Sequence, residues 1–104
     1  MTTPARLGAF HVLCTAEAPG ATLAERLLDP EIDGLPARER AFLHELVLGT
    51  LRSRGSIDHA LAALADRPLE RLDPHVLTIL RLGAHQILNL AVPDHAAVSE
   101  SVAL

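Results

Sequence analysis

The sequence has no lysine, tryptophan or tyrosine, one cysteine, and only two aromatic residues, Phe10 and Phe42. A lone Cys14 excludes an internal disulfide. Without lysine, all nine basic residues are arginine, the side chain that holds phosphate bidentately. A GC-rich coding sequence explains that bias more simply than function does. Thirteen Asp and Glu against nine Arg give a formal charge of −4, so no global positive field draws nucleic acid to the molecule. No segment alternates apolar and polar residues as a half-buried strand would. No apolar run reaches membrane-spanning length, and no charged-then-apolar leader opens the chain. The expectation from these absences is a cytoplasmic, all-helical protein.

What the chain does have is core material. It is 49% hydrophobic, chiefly Leu, Ala, Val and Ile, within 104 residues that suit a single domain. A chain of this size buries only about 60–70% of the surface its unfolded form exposes, so the core must be well filled. Thr3-Pro4 reads as a cap followed by the proline that a first helical turn tolerates, and Leu7, Phe10 and Cys14 then fall on one face. Pro19-Gly20 stops this helix. Thr22 and Glu25 form a capping box for a short helix that Asp29-Pro30 ends. Pro36 begins a long helix with Leu43, Leu46, Val47, Thr50 and Leu51 as its inward stripe, and Gly49 in that stripe would let another backbone come close.

Arg52-Ser53-Arg54-Gly55 marks a break, after which Ile57, Leu61 and Leu64 face inward until Asp66-Arg67-Pro68. Asp73-Pro74 starts a helix whose apolar face, Leu77, Leu80, Ala84 and Ile87 widened by Val76 and Leu88, reads as that of a central, surrounded helix. Its polar stripe is narrow: Thr78, Arg81, His85 and Asn89. Val92-Pro93-Asp94 starts a last helix, with Val98 and Val102 inward, still running at Leu104. The sum is a compact bundle of six helices with the last cut short.

Few residues carry chemistry. Cys14 lies on an apolar helix face, where a thiol behaves as a small hydrophobe. No two of the six histidines stand at i, i+4, so no metal site is expected. Arg52 and Arg54 can fan out at the helix break toward phosphate, although Arg52 can equally pair with Glu45, two turns back. A buried arginine must be paired, which gives Arg81 a structural bridge to a carboxylate. Arg81, His85 and Asn89 together are a candidate polar groove.

Several stretches in order resemble the NusB family. They are Thr-Pro-Ala-Arg at the start, Arg40 to Arg52 (RAFLHELVLGTLR), Arg67 to Pro74 (RPLERLDP), Leu80 to Leu88 (LRLGAHQIL) and Val92 to Val102 (VPDHAAVSESV). The segment from Gly49 to Pro74 is most similar to the N-terminal domain of Sun/Fmu-type ribosomal RNA 5-methylcytosine methyltransferases. The resemblance implies a six-helix NusB-like RNA-binding domain over 1–104. It would position ribosomal RNA and have no catalysis of its own, with S-adenosylmethionine used only by a downstream catalytic domain. By position it nominates Arg6 in the first helix for RNA contact, ahead of Arg52 and Arg54. The family's other branch implies a transcription antitermination factor that binds RNA with a ribosomal protein. From outside the family comes a protein-interaction module, which the acidic charge favours. A last helix cut short would expose an apolar groove and invite a homodimer.

Overall fold

Prolines set the helix starts. Pro4, Pro30 and Pro74 occupy the first position of a helix and Pro36 precedes another, where a missing N–H costs nothing. The computed structural model describes residues 3–15 and 30–90. They form α1 (Pro4–Thr15), the single turn α2 (Pro30–Asp33), α3 (Ala37–Arg52), α4 (Arg54–Leu64), a 3₁₀ turn (Leu69–Arg71) and α5 (Pro74–Asn89). Among the described residues there is no strand, and no helix is long and apolar enough to cross a membrane. Pro30 begins α2. The helices expected around the Thr22–Glu25 capping box and after Val92-Pro93-Asp94, with Val98 and Val102, lie outside the described residues.

The core lies where α1 crosses α3. Ala5, Ala9 and Val12 of α1 meet Leu43, Leu46 and Val47 of α3, and Ile32 and Leu82 close the cluster. The inward stripe of α3 is the expected one. The face of α1 is rotated from the expected face: Leu7 is exposed, while Phe10 and Cys14 are half-buried. Small residues explain the rotation, because only they let α1 press onto α3. A Cβ at Gly8 would lie 2.6 Å from Leu43 Cδ1. In α4, Ile57 is buried as expected, whereas Leu64 in the last turn is 85% exposed.

α5 is turned over relative to its sequence pattern. Its fully buried residues are Leu82, His85 and Gln86, while Val76, Leu80, Ile87 and Leu88 are exposed. The helix begins as expected, with Asp73 Oδ1 accepting from the His75 N–H at 2.8 Å. Its polar side faces the core because each buried polar group has a particular neighbour there.

Candidate nucleic-acid interface

α3 and α4 meet at one residue. Ser53 N–H donates to the Gly49 carbonyl and Ile57 N–H to the Ser53 carbonyl, both at 2.9 Å, so helical hydrogen bonding carries across the joint. Arg52 and Arg54 stand on either side of it, both exposed. Arg52 Nη2 lies 3.6 Å from Glu45 Oε1, the pairing expected from the sequence, and Arg54 Nε lies 4.0 Å from Asp58 Oδ2. Exposed pairs at such distances are worth little, about 0–1 kcal/mol, so an incoming phosphate could replace either carboxylate.

Arg6 is not beside them at the surface. Its side chain is buried, with Nε donating to Gln86 Oε1 at 2.7 Å and Nη1 to Thr3 Oγ1 at 3.3 Å. The guanidinium carbon sits 5.1 Å over the Phe42 ring. The carry-over that placed Arg6 on an RNA-facing surface is therefore corrected: the guanidinium is spent inside the bundle, tying α1 to α5. Next to it, Glu39 Oε2 accepts from the Ala5 N–H at 3.2 Å and so caps α1 from another helix.

Arg81, His85 and Asn89 do not line one groove. Arg81 makes the expected carboxylate bridge, its Nε and Nη2 donating to Asp58 Oδ1 and Oδ2 at 2.8 Å each. This fork-to-fork geometry locks α5 to α4. His85 points into the seam with α3. Its Nδ1 lies 2.9 Å from Asn89 Nδ2, so the amide donates, Nδ1 accepts and the ring proton sits on Nε2. Nε2 has no hydrogen-bond partner and lies 3.6 Å from Glu45 Oε1. Burial holds the imidazole below its ordinary pKa against the opposing pull of Glu45. Gly49 makes room for the ring, since a Cβ there would overlap it and come 2.9 Å from Glu45 Oε1. The close approach expected at Gly49 is thus made by a side chain, not a backbone.

A groove of about 300 Å³ does open beside the α3–α4 joint, walled by α1, α3, the 3₁₀ turn and α5. Leu13, Leu51 and Leu77 are among its apolar walls, with Thr50, Arg54 and Arg81 on its polar side. Cys14 also lines it. Burial raises the Cys14 pKa, with the hydrogen bond from Thr78 working the other way and the nearby Asp73 charge adding to the rise, which favours the neutral thiol. Among the described residues no three His, Cys, Asp or Glu side chains converge to hold a metal.

The described residues form an all-helical bundle with arginines on either side of the α3–α4 joint and an internal Arg–Gln tie. The NusB family profile matches residues 3–104, and the chain belongs to the NusB family. A Mycobacterium tuberculosis protein whose name proposes it to be a methyltransferase is 39% identical over 95% of this chain and 22% of its own length. Ribosomal RNA small subunit methyltransferase B of Pseudomonas putida is 30% identical over 93% of the chain and 22% of its own length. Transcription antitermination protein NusB of Halorhodospira halophila is 42% identical over 68% of the chain and 46% of its own length. The chain therefore spans about a fifth of the methyltransferase-named relatives. No solved structure matches it.

Gln86, Glu39 and Asp58 are the partners that sequence reasoning missed. Gln86 had a signal: an amide in the middle of the apolar run Leu82 to Leu88 needs a buried partner.

Proposed function

We propose that this chain is the RNA-positioning domain of a ribosomal RNA cytosine-5 methyltransferase, without catalysis of its own. The observation that carries the reading is coverage. Methyltransferase-named relatives align over 95% and 93% of the chain in two cases and over 62% and 70% in two others, whereas three antitermination relatives align over 62–68%. The geometry adds a docking element. Arg52 and Arg54 flank the α3–α4 joint, and their pairs with Glu45 and Asp58 are weak surface ones, so in this reading they turn to phosphates without reading sequence. The neutral, half-buried Cys14 leaves methyl transfer, and any S-adenosylmethionine, to another domain. In this reading the whole chain is one domain in the cytoplasm.

A second reading, a protein-contact module able to pair with a second copy, is favoured by one observation. Val76, Leu80, Ile87 and Leu88 form an exposed apolar side of α5. Binding of a small-subunit ribosomal RNA hairpin, followed by fluorescence anisotropy across a salt series, decides between them. RNA docking predicts affinity that falls steeply with salt, and Arg52→Ala lowering the log–log slope by about 0.9. No binding at low salt would sink the RNA reading, and a concentration-dependent sedimentation coefficient would then support the contact module.

A further inference from the structure

One carboxylate oxygen serves two nitrogen partners at the seam of α3 and α5. Glu45 Oε1 lies 3.6 Å from Arg52 Nη2, whose side chain is exposed, and 3.6 Å from His85 Nε2, whose ring is buried. Both distances are beyond a hydrogen bond, so the carboxylate has closed on neither donor. Moving inward it completes the orphaned His85 Nε2 and gives up Arg52; moving outward it does the reverse. The charge on His85 decides between them. A neutral imidazole is a weak donor, and the charged guanidinium wins. A buried imidazolium needs a counter-charge, and Glu45 is the carboxylate in reach. The new proton enters at Nδ1, beside the exposed Asn89, whose amide turns over so that Oδ1 accepts it. Among the described residues the charges that act on the imidazole are Glu45 and Arg52, both on α3. Of those on the other helices packed against α5, Arg6 of α1 is turned to Gln86 and Asp58 of α4 is held by Arg81.

We propose that Glu45 is a proton-operated latch on Arg52: with His85 neutral the carboxylate holds Arg52, and with His85 protonated it turns inward and frees Arg52 for phosphate. The inference rests on the phosphate-docking reading of Arg52 and gives that site its regulation. Burial lowers the His85 pKa from 6.5, with Glu45 pulling the other way and Arg52 adding to the fall, so the latch opens on the acid side of that value. The coupling runs in both directions. A phosphate that draws Arg52 away leaves Glu45 to the imidazole and removes a repelling charge, so RNA binding eases protonation of His85 by the same factor. An exposed pair of this length is worth at most about a fivefold change in affinity, which sets the size of the effect.

The test uses the whole chain, labelled with nitrogen-15 and titrated by NMR from about pH 7.5 to about pH 5, the range in which a histidine changes charge. It is run alone and with an oligouridine that lacks a terminal phosphate, a ligand with no group titrating in that range. In the free protein the Arg52 Nε–H signal should move with the midpoint of the His85 ring, and oligouridine should raise that midpoint. Fluorescence anisotropy at low salt should show binding about three- to fivefold tighter at the acid end. Glu45→Gln, at a half-exposed position, keeps the shape and removes the latch, so it should bind at neutral pH as the parent does in acid, without the step. His85→Gln should lack the step too, and Glu45→Gln decides if that variant does not fold. A step that survives in Arg52→Ala belongs to other histidines and would overturn the latch. So would an Arg52 signal that stays still while His85 titrates, or a His85 ring that takes no proton across the range. Oligouridine binding with no step would overturn the latch alone and leave phosphate docking intact. Arg52 following His85 with no oligouridine bound at any pH would uphold the latch and sink the RNA reading.

Discussion

Gly49→Ala sets two physical effects against each other with opposite signs. Gly49 lies in the last turn of the 16-residue α3, but helical hydrogen bonding runs on through Ser53, so alanine for glycine should still gain about 1 kcal/mol of helix propensity. The structure places the His85 ring where the new methyl would go, with Glu45 Oε1 2.9 Å away on another side. The ring cannot swing clear, because it is 1% exposed and Asn89 holds its Nδ1. Overpacking of a filled site costs typically 1–3 kcal/mol, and a direct overlap with a ring belongs at the upper end. The net expectation is destabilisation of about 2 kcal/mol. For a domain of this size that lowers Tm by about 8–16 °C, read by circular dichroism. In a His85→Ala background the obstacle is gone, and the same Gly49→Ala change should become stabilising by about 1 kcal/mol. A Gly49→Ala protein as stable as the parent in the native background would refute the placement of the imidazole.

Three other outcomes follow from the same structure. Thr50→Val should stabilise the unliganded protein by about 1 kcal/mol in urea unfolding, since the hydroxyl it removes is buried without a partner. Asp58→Asn should cost about 1–2 kcal/mol in the same assay by weakening the two-pronged bridge to Arg81. His85 is held neutral in the fold, so the unfolded chain binds the extra proton. Its contribution to stability is therefore complete above pH about 6.5 and lost as pH falls below that. Thermal melts between neutral and mildly acidic pH should show this slope, and His85→Gln should flatten it.

The parts of the fold that depend on local chemistry were legible. The proline-led starts at Pro4 and Pro74, the Asp73 cap, the α3 stripe and the break at Ser53 all follow from short-range rules. The faces of α1 and α5 were not, and for related reasons. Periodicity ranks residues by hydrophobicity, so it turned Leu7 inward in α1, where small Ala5 and Ala9 win by permitting close contact. In α5 it turned Leu80 and Ile87 inward, where Gln86 wins through Arg6 on α1 and His85 through the space that Gly49 leaves on α3. Arg6 failed for the same reason: a charged side chain in a first helical turn reads as exposed until Gln86 and Phe42 are seen around it. At the joint, Arg52 with Glu45 could be named from spacing on one helix. Asp58 as the Arg81 partner needed the packing of α4 on α5.

The tie between Arg6 and Gln86 also sets a clock on synthesis. The two residues are 80 positions apart in the chain. A ribosome adding about 5–20 residues per second needs roughly 4–16 s between making one and making the other. Throughout that interval the Arg6 Nε lacks its Gln86 acceptor and α1 has no α5 to lie against. A nascent-chain holding factor would therefore find its target in the first fifteen residues, and slow codons placed between Arg6 and Gln86 should raise the yield of aggregated product more than the same codons placed after Asn89.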